Sequence, residues 1–206
     1  MTEVYTTTKG GRDVTAAVDE SAARLGVEAT NNVPDGYAVE FVDYPFTDPD
    51  ATIDDHIDRV KSERPRLTVA PDVEHDITLS DAVAIGDELL EHAETVIVVP
   101  KDCHPSDVPD RFRPAVATHQ FGSGTPWGVW EYDRPVHILG GSPNAQLRFG
   151  RYLDVASVDT SWFVTRCRFG MWDGVSIDET PDEWDYRRRL RESLDNYAAA
   201  WNGGAD

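Results

Sequence analysis

Hydrophobic positions along the chain fall into short runs separated by helical stripes. Val136 to Leu139 is an apolar run that ends at Gly140-Gly141, and Val155 to Val158 is another, followed at once by Asp159. Between them Ala145, Leu147, Phe149 and Leu153 give a helix one apolar side. Ser142 suits its N-cap, and Pro143 its first position, where no backbone N–H is needed. Strand, glycine turn, helix and strand make a βαβ unit. A carboxylate at the C-terminal end of such a strand is where α/β enzymes keep their chemistry.

The same alternation runs through the rest of the chain. Residues 3–8, EVYTTT, read as a strand. Val14, Ala17, Val18, Ala22 and Leu25 recur at helical spacing, which predicts a helix over 14–25 stopped by Gly26. Strands are expected at 38–42, 67–70, 95–99 and 115–118, and helices at 52–63 and 80–93. TVIVV at 95–99 is apolar throughout, as a strand buried on both faces requires. Past Asp159, residues 162–168 read as a strand and 182–201 as a terminal helix.

Six or seven strands alternating with helices predict an α/β fold. Asp43, Asp72, Lys101, His119, Ser142 and Asp159 each follow a different strand, which suits a barrel mouth better than an open sheet. The expected architecture is a small TIM-like (β/α) barrel of parallel strands, with helices short or missing near 101–113 and 122–134. The sequence leaves its closure open. One domain is expected: an N-terminal strand and helix in 1–36, a barrel core in 37–170 and a C-terminal helix in 171–206.

Composition narrows the class. At 206 residues and 40% hydrophobic the chain has enough for a sizeable core, and no apolar run approaches the length of a membrane span. MTEVYTTTKGG lacks an apolar signal core, so an intracellular, cytoplasmic protein is expected. Cys103 and Cys167 read as two reduced thiols, and Cys103-His104 has no second pair to complete a zinc site. The net charge is −19, with three lysines against sixteen arginines, the surface of a salt-in halophile. Residues 1–110 carry a net −17 and residues 111–206 a net −2, so contact with a polyanion is expected in the second part.

Asp43, Asp72 and Asp159 share the strand-end position. Two carboxylates about 5 Å apart can perform retaining glycosyl chemistry, one as nucleophile and the other as acid and then base. The alternative is that each caps the next helix or turn. The N–H groups of Gly140-Gly141-Ser142-Pro143 can hold an anion, or the glycines only permit a tight turn. His119, Gln120 and Phe121 are placed to contact a flat ring, whereas His137, within an apolar strand, reads as an interior histidine with a bonded partner. Lys101 reads as a rim lysine before a Schiff-base or phosphate lysine. Arg187, Arg188, Arg189 and Arg191 are the one dense basic cluster, which either meets phosphates or balances Asp182, Glu183, Asp185, Glu192 and Asp195.

VHILGGSP, a helix and then VASVDTSW resemble the end of the tRNA-guanine transglycosylase barrel, where such a unit precedes the strand bearing the nucleophilic aspartate, here Asp159. FVDYPF resembles the strand end of that family's acid/base aspartate, here Asp43, and TVAPDVE that of its base-recognising aspartate, here Asp72. VIVVPK and ATHQFGSG fall where further base-contacting strands lie. The match covers residues 37–165. Asp43 is followed by Tyr-Pro-Phe rather than Ser-Gly-Gly-Phe-Gln, and the cysteine-rich zinc site has no counterpart. That compact form resembles the virus-encoded relatives that place 7-deazaguanine bases in DNA. The resemblance implies base exchange through a covalent Asp159 intermediate with no cofactor, and base contacts from Asp72, His119, Gln120, Gly140 and Gly141. It also implies nucleic acid as partner, DNA favoured over tRNA, a 7-deazaguanine-type base as co-substrate and no membrane. A homodimer stays open. The rival expectations are a metal-dependent hydrolase using Asp43, Asp72 and His119, and a non-catalytic viral scaffold protein.

Overall fold

The computed structural model of the chain describes residues 1–46, 48–118 and 126–203. Eight parallel strands close into a barrel in chain order. They are β1 (Glu3–Thr8), β2 (Arg24–Glu28), β3 (Phe41–Asp43), β4 (Leu67–Val69), β5 (Thr95–Val98), β6 (Arg113–Ala117), β7 (Val136–Leu139) and β8 (Val155–Asp159). β8 returns to pair with β1, with Tyr5 opposite Asp159. The helices are α1 (Arg12–Asp19), α2 (Ile53–Glu63), α3 (Leu79–Leu90), α4 (Pro143–Gly150), α5 (Trp162–Arg166) and α6 (Tyr186–Asn202). Short 3₁₀ turns at Pro105–Asp107 and Val129–Glu131 stand where full helices are missing.

The strands are apolar on both faces because each face meets a different core. Tyr5, Phe41, Leu67, Val69, Ile97, Val99 and Ala115 pack together inside the barrel. The alternate positions, among them Val27, Val42, Val96 and Ile138, pack outward against the helices. Threonines start α2 and α3: Thr52 with Asp55, and Thr78 with Asp81, form reciprocal capping boxes.

Two expectations change. The predicted helix over 14–25 ends at Asp19, and Arg24–Glu28 is a barrel strand, so residues 1–36 supply two strands of the barrel rather than precede it. Gly26 does not stop a helix. It leaves room for Phe41, whose Cδ1 would stand 2.8 Å from a Cβ at position 26. Residues 162–166 form α5, not a strand. Closure explains this: the free edge of β8 is taken by β1, so no edge is left for a further strand.

Behind β8, Phe163 of α5, Trp172 and Tyr197 of α6 form a buried aromatic cluster with centroids 5.2–5.8 Å apart. Trp172 belongs to a two-stranded antiparallel ribbon of β9 (Met171–Trp172) and β10 (Ile177–Asp178). Cys103 and Cys167 are unpaired. Among the described residues, no helix is long and apolar enough to cross a membrane.

Gly26→Val forces Phe41 from its place and is expected to cost about 1–3 kcal/mol, a fall of several degrees in Tm by calorimetry.

Candidate active site

The last residue of β8 stands where three elements meet. Asp159 is buried at 5% exposure. Its Oδ1 accepts from the Gly140 N–H at 3.1 Å and lies 3.2 Å from Nε2 of His137; its Oδ2 accepts from Thr7 Oγ1 at 3.3 Å. The turn after β7 is built for this. Gly140 and Gly141 adopt positive φ, and a Cβ at Gly141 would stand 2.2 Å from Thr118 Oγ1. Gln146, fully buried on α4, donates to the carbonyls of both Gly140 and Asp159 at 2.7 and 2.6 Å, and Tyr197 donates to its side-chain oxygen.

Below Asp159 the barrel holds a polar file. Arg113 Nη1 donates to Ser157 Oγ at 2.8 Å, and Ser157 Oγ lies 2.8 Å from Nδ1 of His137. An arginine only donates, and a carboxylate only accepts. Burial, outweighing the hydrogen bond and charge of Asp159, holds the His137 imidazole below its ordinary pKa and therefore neutral. Its one proton must then sit on Nε2, facing Asp159, and Ser157 must donate to Nδ1. The file is polarised from Arg113 to Asp159.

A cavity of about 830 Å³ opens above, lined by residues of all eight strand ends or the turns after them. Asp43, Asp72 and Asp159 all line it, as do Glu28 and Lys101. Burial first, and then the negative charges of Asp159, Glu28 and Asp72, push Asp43 well above the usual carboxylate range. Its Oδ1 is buried with no hydrogen-bond partner among the described residues. Asp72 is raised by burial, against the opposing pull of Lys101, whose Nζ lies 2.5 Å from Asp72 Oδ2 and 2.9 Å from Glu74 Oε1. Burial works against the charge of Lys101, but these two carboxylates outweigh it and raise its pKa.

The structure thus brings together Asp43, Asp72, Lys101, Gly140, Gly141 and Asp159. Gly140 offers its N–H to Asp159, so the anion at this turn is the protein's own carboxylate. His119 and Gln120 lie outside the described residues. The arginine cluster does not form one free basic face. Arg187 pairs with Glu20 at the C-cap of α1, Arg191 with Glu192, and Arg188 lies over Trp184 at 3.8 Å. Two cavity residues escape the sequence pattern. Glu28 ends β2, which reads as helix in the sequence. Phe46 is half exposed at the mouth and packs against Tyr44 with the ring planes tilted by 57° and centroids 4.9 Å apart; the YPF sequence after Asp43 is its only signal. Among the described residues, no group of three or more His, Cys, Asp or Glu side chains is disposed to hold a metal ion.

A closed eight-stranded parallel barrel with its polar residues at the carboxyl ends of the strands is a TIM-like α/β barrel. The chain belongs to the family of unknown function DUF6610, whose family model matches residues 20–202. No curated protein matches the sequence. The fold is similar to that of the YdjI aldolase from Escherichia coli K12, with a TM-score of 0.55 and 10% identity over 98% of this chain and 89% of that one. Tryptophan synthase from M. tuberculosis, in its aminoacrylate-bound form, matches at a TM-score of 0.41 and 16% identity over 97% and 93% of the two chains. The transglycosylase resemblance rests on the sequence motifs alone.

Two measurements check the electrostatics. Asp43 titrates above its ordinary value of 3.8, so its favourable contribution is intact below that pH and is lost as pH rises through the folded pKa. Asp43→Asn should therefore raise Tm at pH 7–8, with the gain over wild type shrinking towards pH 4; a gain independent of pH would contradict the assignment. Nitrogen-15 spectra should show His137 protonated at Nε2 only. A proton on Nδ1 would reverse the direction of the file.

Proposed function

We propose that the chain exchanges a guanine-type base on a nucleic acid, DNA in preference to tRNA, with Asp159 as nucleophile and Asp43 as acid and then base. The observation that carries this reading is the unlike state of two carboxylates on one cavity. Asp43 is driven towards its protonated form, while Asp159 accepts from three donors and supplies part of the negative charge that raises Asp43. A carboxyl group driven towards protonation beside one held by hydrogen bonds offers an acid and a nucleophile.

In the first step an oxygen of Asp159 attacks C1′ of the target nucleotide, whose base is presented out of the stack. The C1′–N bond breaks, its electron pair stays on the departing base, and Asp43 delivers its proton there. A 7-deazaguanine-type base then enters. Its ring nitrogen gives a proton to Asp43 and attacks C1′, and Asp159 leaves as carboxylate. Two inversions give retention.

Base recognition falls to Asp72 with Lys101, which together present an acceptor beside a cationic donor, and to Phe46, whose exposed ring offers a stacking face. Lys101, held charged between two carboxylates, is a poor amine nucleophile, which disfavours a Schiff-base reading of the same mouth.

The test is transfer of radiolabelled guanine into a guanine-containing single-stranded oligodeoxynucleotide, with intact-protein mass spectrometry to trap the ester on Asp159. Asp159→Asn should lose exchange and adduct together. Asp43→Asn should slow exchange by about 10²–10⁴-fold. Phe46→Ala should weaken base binding by about 1–3 kcal/mol. Exchange at the wild-type rate by Asp159→Asn would falsify the assignment.

A further inference from the structure

A second cavity, of about 460 Å³, adjoins the mouth. Val14, Val164 and Arg168 line both. Its charged residues are Arg12, Arg168, Arg189 and one carboxylate, Asp13. Among the described residues seven of the sixteen arginines form ion pairs with carboxylates and nine do not; of those nine, three share this one cleft. Among the described residues, Arg12, Arg168 and Arg189 form none, although the chain carries 38 acidic residues. Asp13 comes within ion-pair distance of none of the three. Arg189 Nε is also buried without a hydrogen-bond partner. Guanidinium groups left unmatched in so acidic a chain, converging on one cleft, are matched by an anion from outside.

The neighbouring mouth is more acidic. Asp43, Asp72, Asp159 and Glu28 outnumber Lys9, Lys101 and the shared Arg168, so a neutral ring with N–H donors suits it better than a phosphate does. The two cavities together sort a substrate into an uncharged ring and an adjoining anion, the division found in a nucleotide unit. We infer that the cleft of Arg12, Arg168 and Arg189 binds a phosphate group of the molecule whose base occupies the mouth. The phosphate is either the target nucleotide's own or the next phosphodiester along the strand. This deepens the base-exchange reading and rests on it for the occupant of the mouth, but binding alone tests the cleft.

The experiment compares deoxyguanosine, its 5′-monophosphate and a fluorescein-labelled single-stranded oligodeoxynucleotide containing one guanine. Each is titrated against wild type, the double variant Arg12→Gln/Arg189→Gln, whose residues line only the cleft, and Arg64→Gln. Arg64 is an exposed residue at the C-terminal end of α2, towards the opposite end of the barrel. The double variant should weaken oligonucleotide binding by about tenfold per arginine. It should also lower the salt slope of the logarithm of affinity by about 0.7, one single-strand phosphate contact. Deoxyguanosine binding should not change, and Arg64→Gln should match wild type throughout. If the monophosphate loses its advantage over deoxyguanosine in the double variant, the nucleotide's own phosphate occupies the cleft. If only the oligonucleotide loses affinity, the adjoining phosphodiester does. Wild-type affinity and slope in the double variant overturn the inference, as does equal binding of all three ligands by wild type. If the affinities fall as expected but wild type transfers no labelled base, the base-exchange reading fails and the phosphate cleft stands.

Discussion

One buried carboxylate stands at the seam of the barrel. Asp159 ends the last strand, accepts from Thr7 on the first strand, and is tied to β7 through His137 and the Gly140 N–H. Closing an eight-stranded sheet requires its first and last strands to meet. Here the group at that junction is also the one proposed as nucleophile. A buried charge is tolerated only when it is hydrogen-bonded, and three donors, from β1, β7 and the turn after β7, serve here. Stability and reactivity at this position are therefore coupled: what holds the seam also orients the oxygen that would react.

Charge is distributed around this centre by function rather than evenly. The mouth concentrates carboxylates at the price of an uncompensated oxygen on Asp43. Lys101 relieves Asp72 and Glu74 but leaves Asp43 to the combined field of its neighbours. A carboxyl group so perturbed at a cavity is the pattern expected where acid–base chemistry is done.

The strand-end aspartates are legible in the sequence because each follows an apolar run, and the βαβ unit around Ser142-Pro143 is legible from its cap and stripe. β2 is not, because Ala22 and Leu25 continue a helical spacing and Gly26 mimics a helix stop. Only the approach of Phe41 from the next strand explains the glycine, and that contact is tertiary. Glu28 is hidden with it. His137 reads as a bonded interior histidine, but its partners lie 20 and 22 residues downstream, beyond any local pattern. The arginine cluster of α6 looks uniform in sequence. In the fold its members diverge, Arg187 and Arg191 towards acids and Arg189 towards a cleft, because the helical rotation sends them in different directions.

The file from Arg113 to Asp159 runs along the barrel interior, from the start of β6 to the end of β8. Its donor end therefore lies towards the floor, away from any bound molecule. Changes around Arg113 can alter how firmly the Asp159 oxygen is held while leaving the cavity walls intact. Under the proposed chemistry the barrel floor is thus a remote handle on reactivity, open to evolutionary tuning that binding at the mouth would never sense.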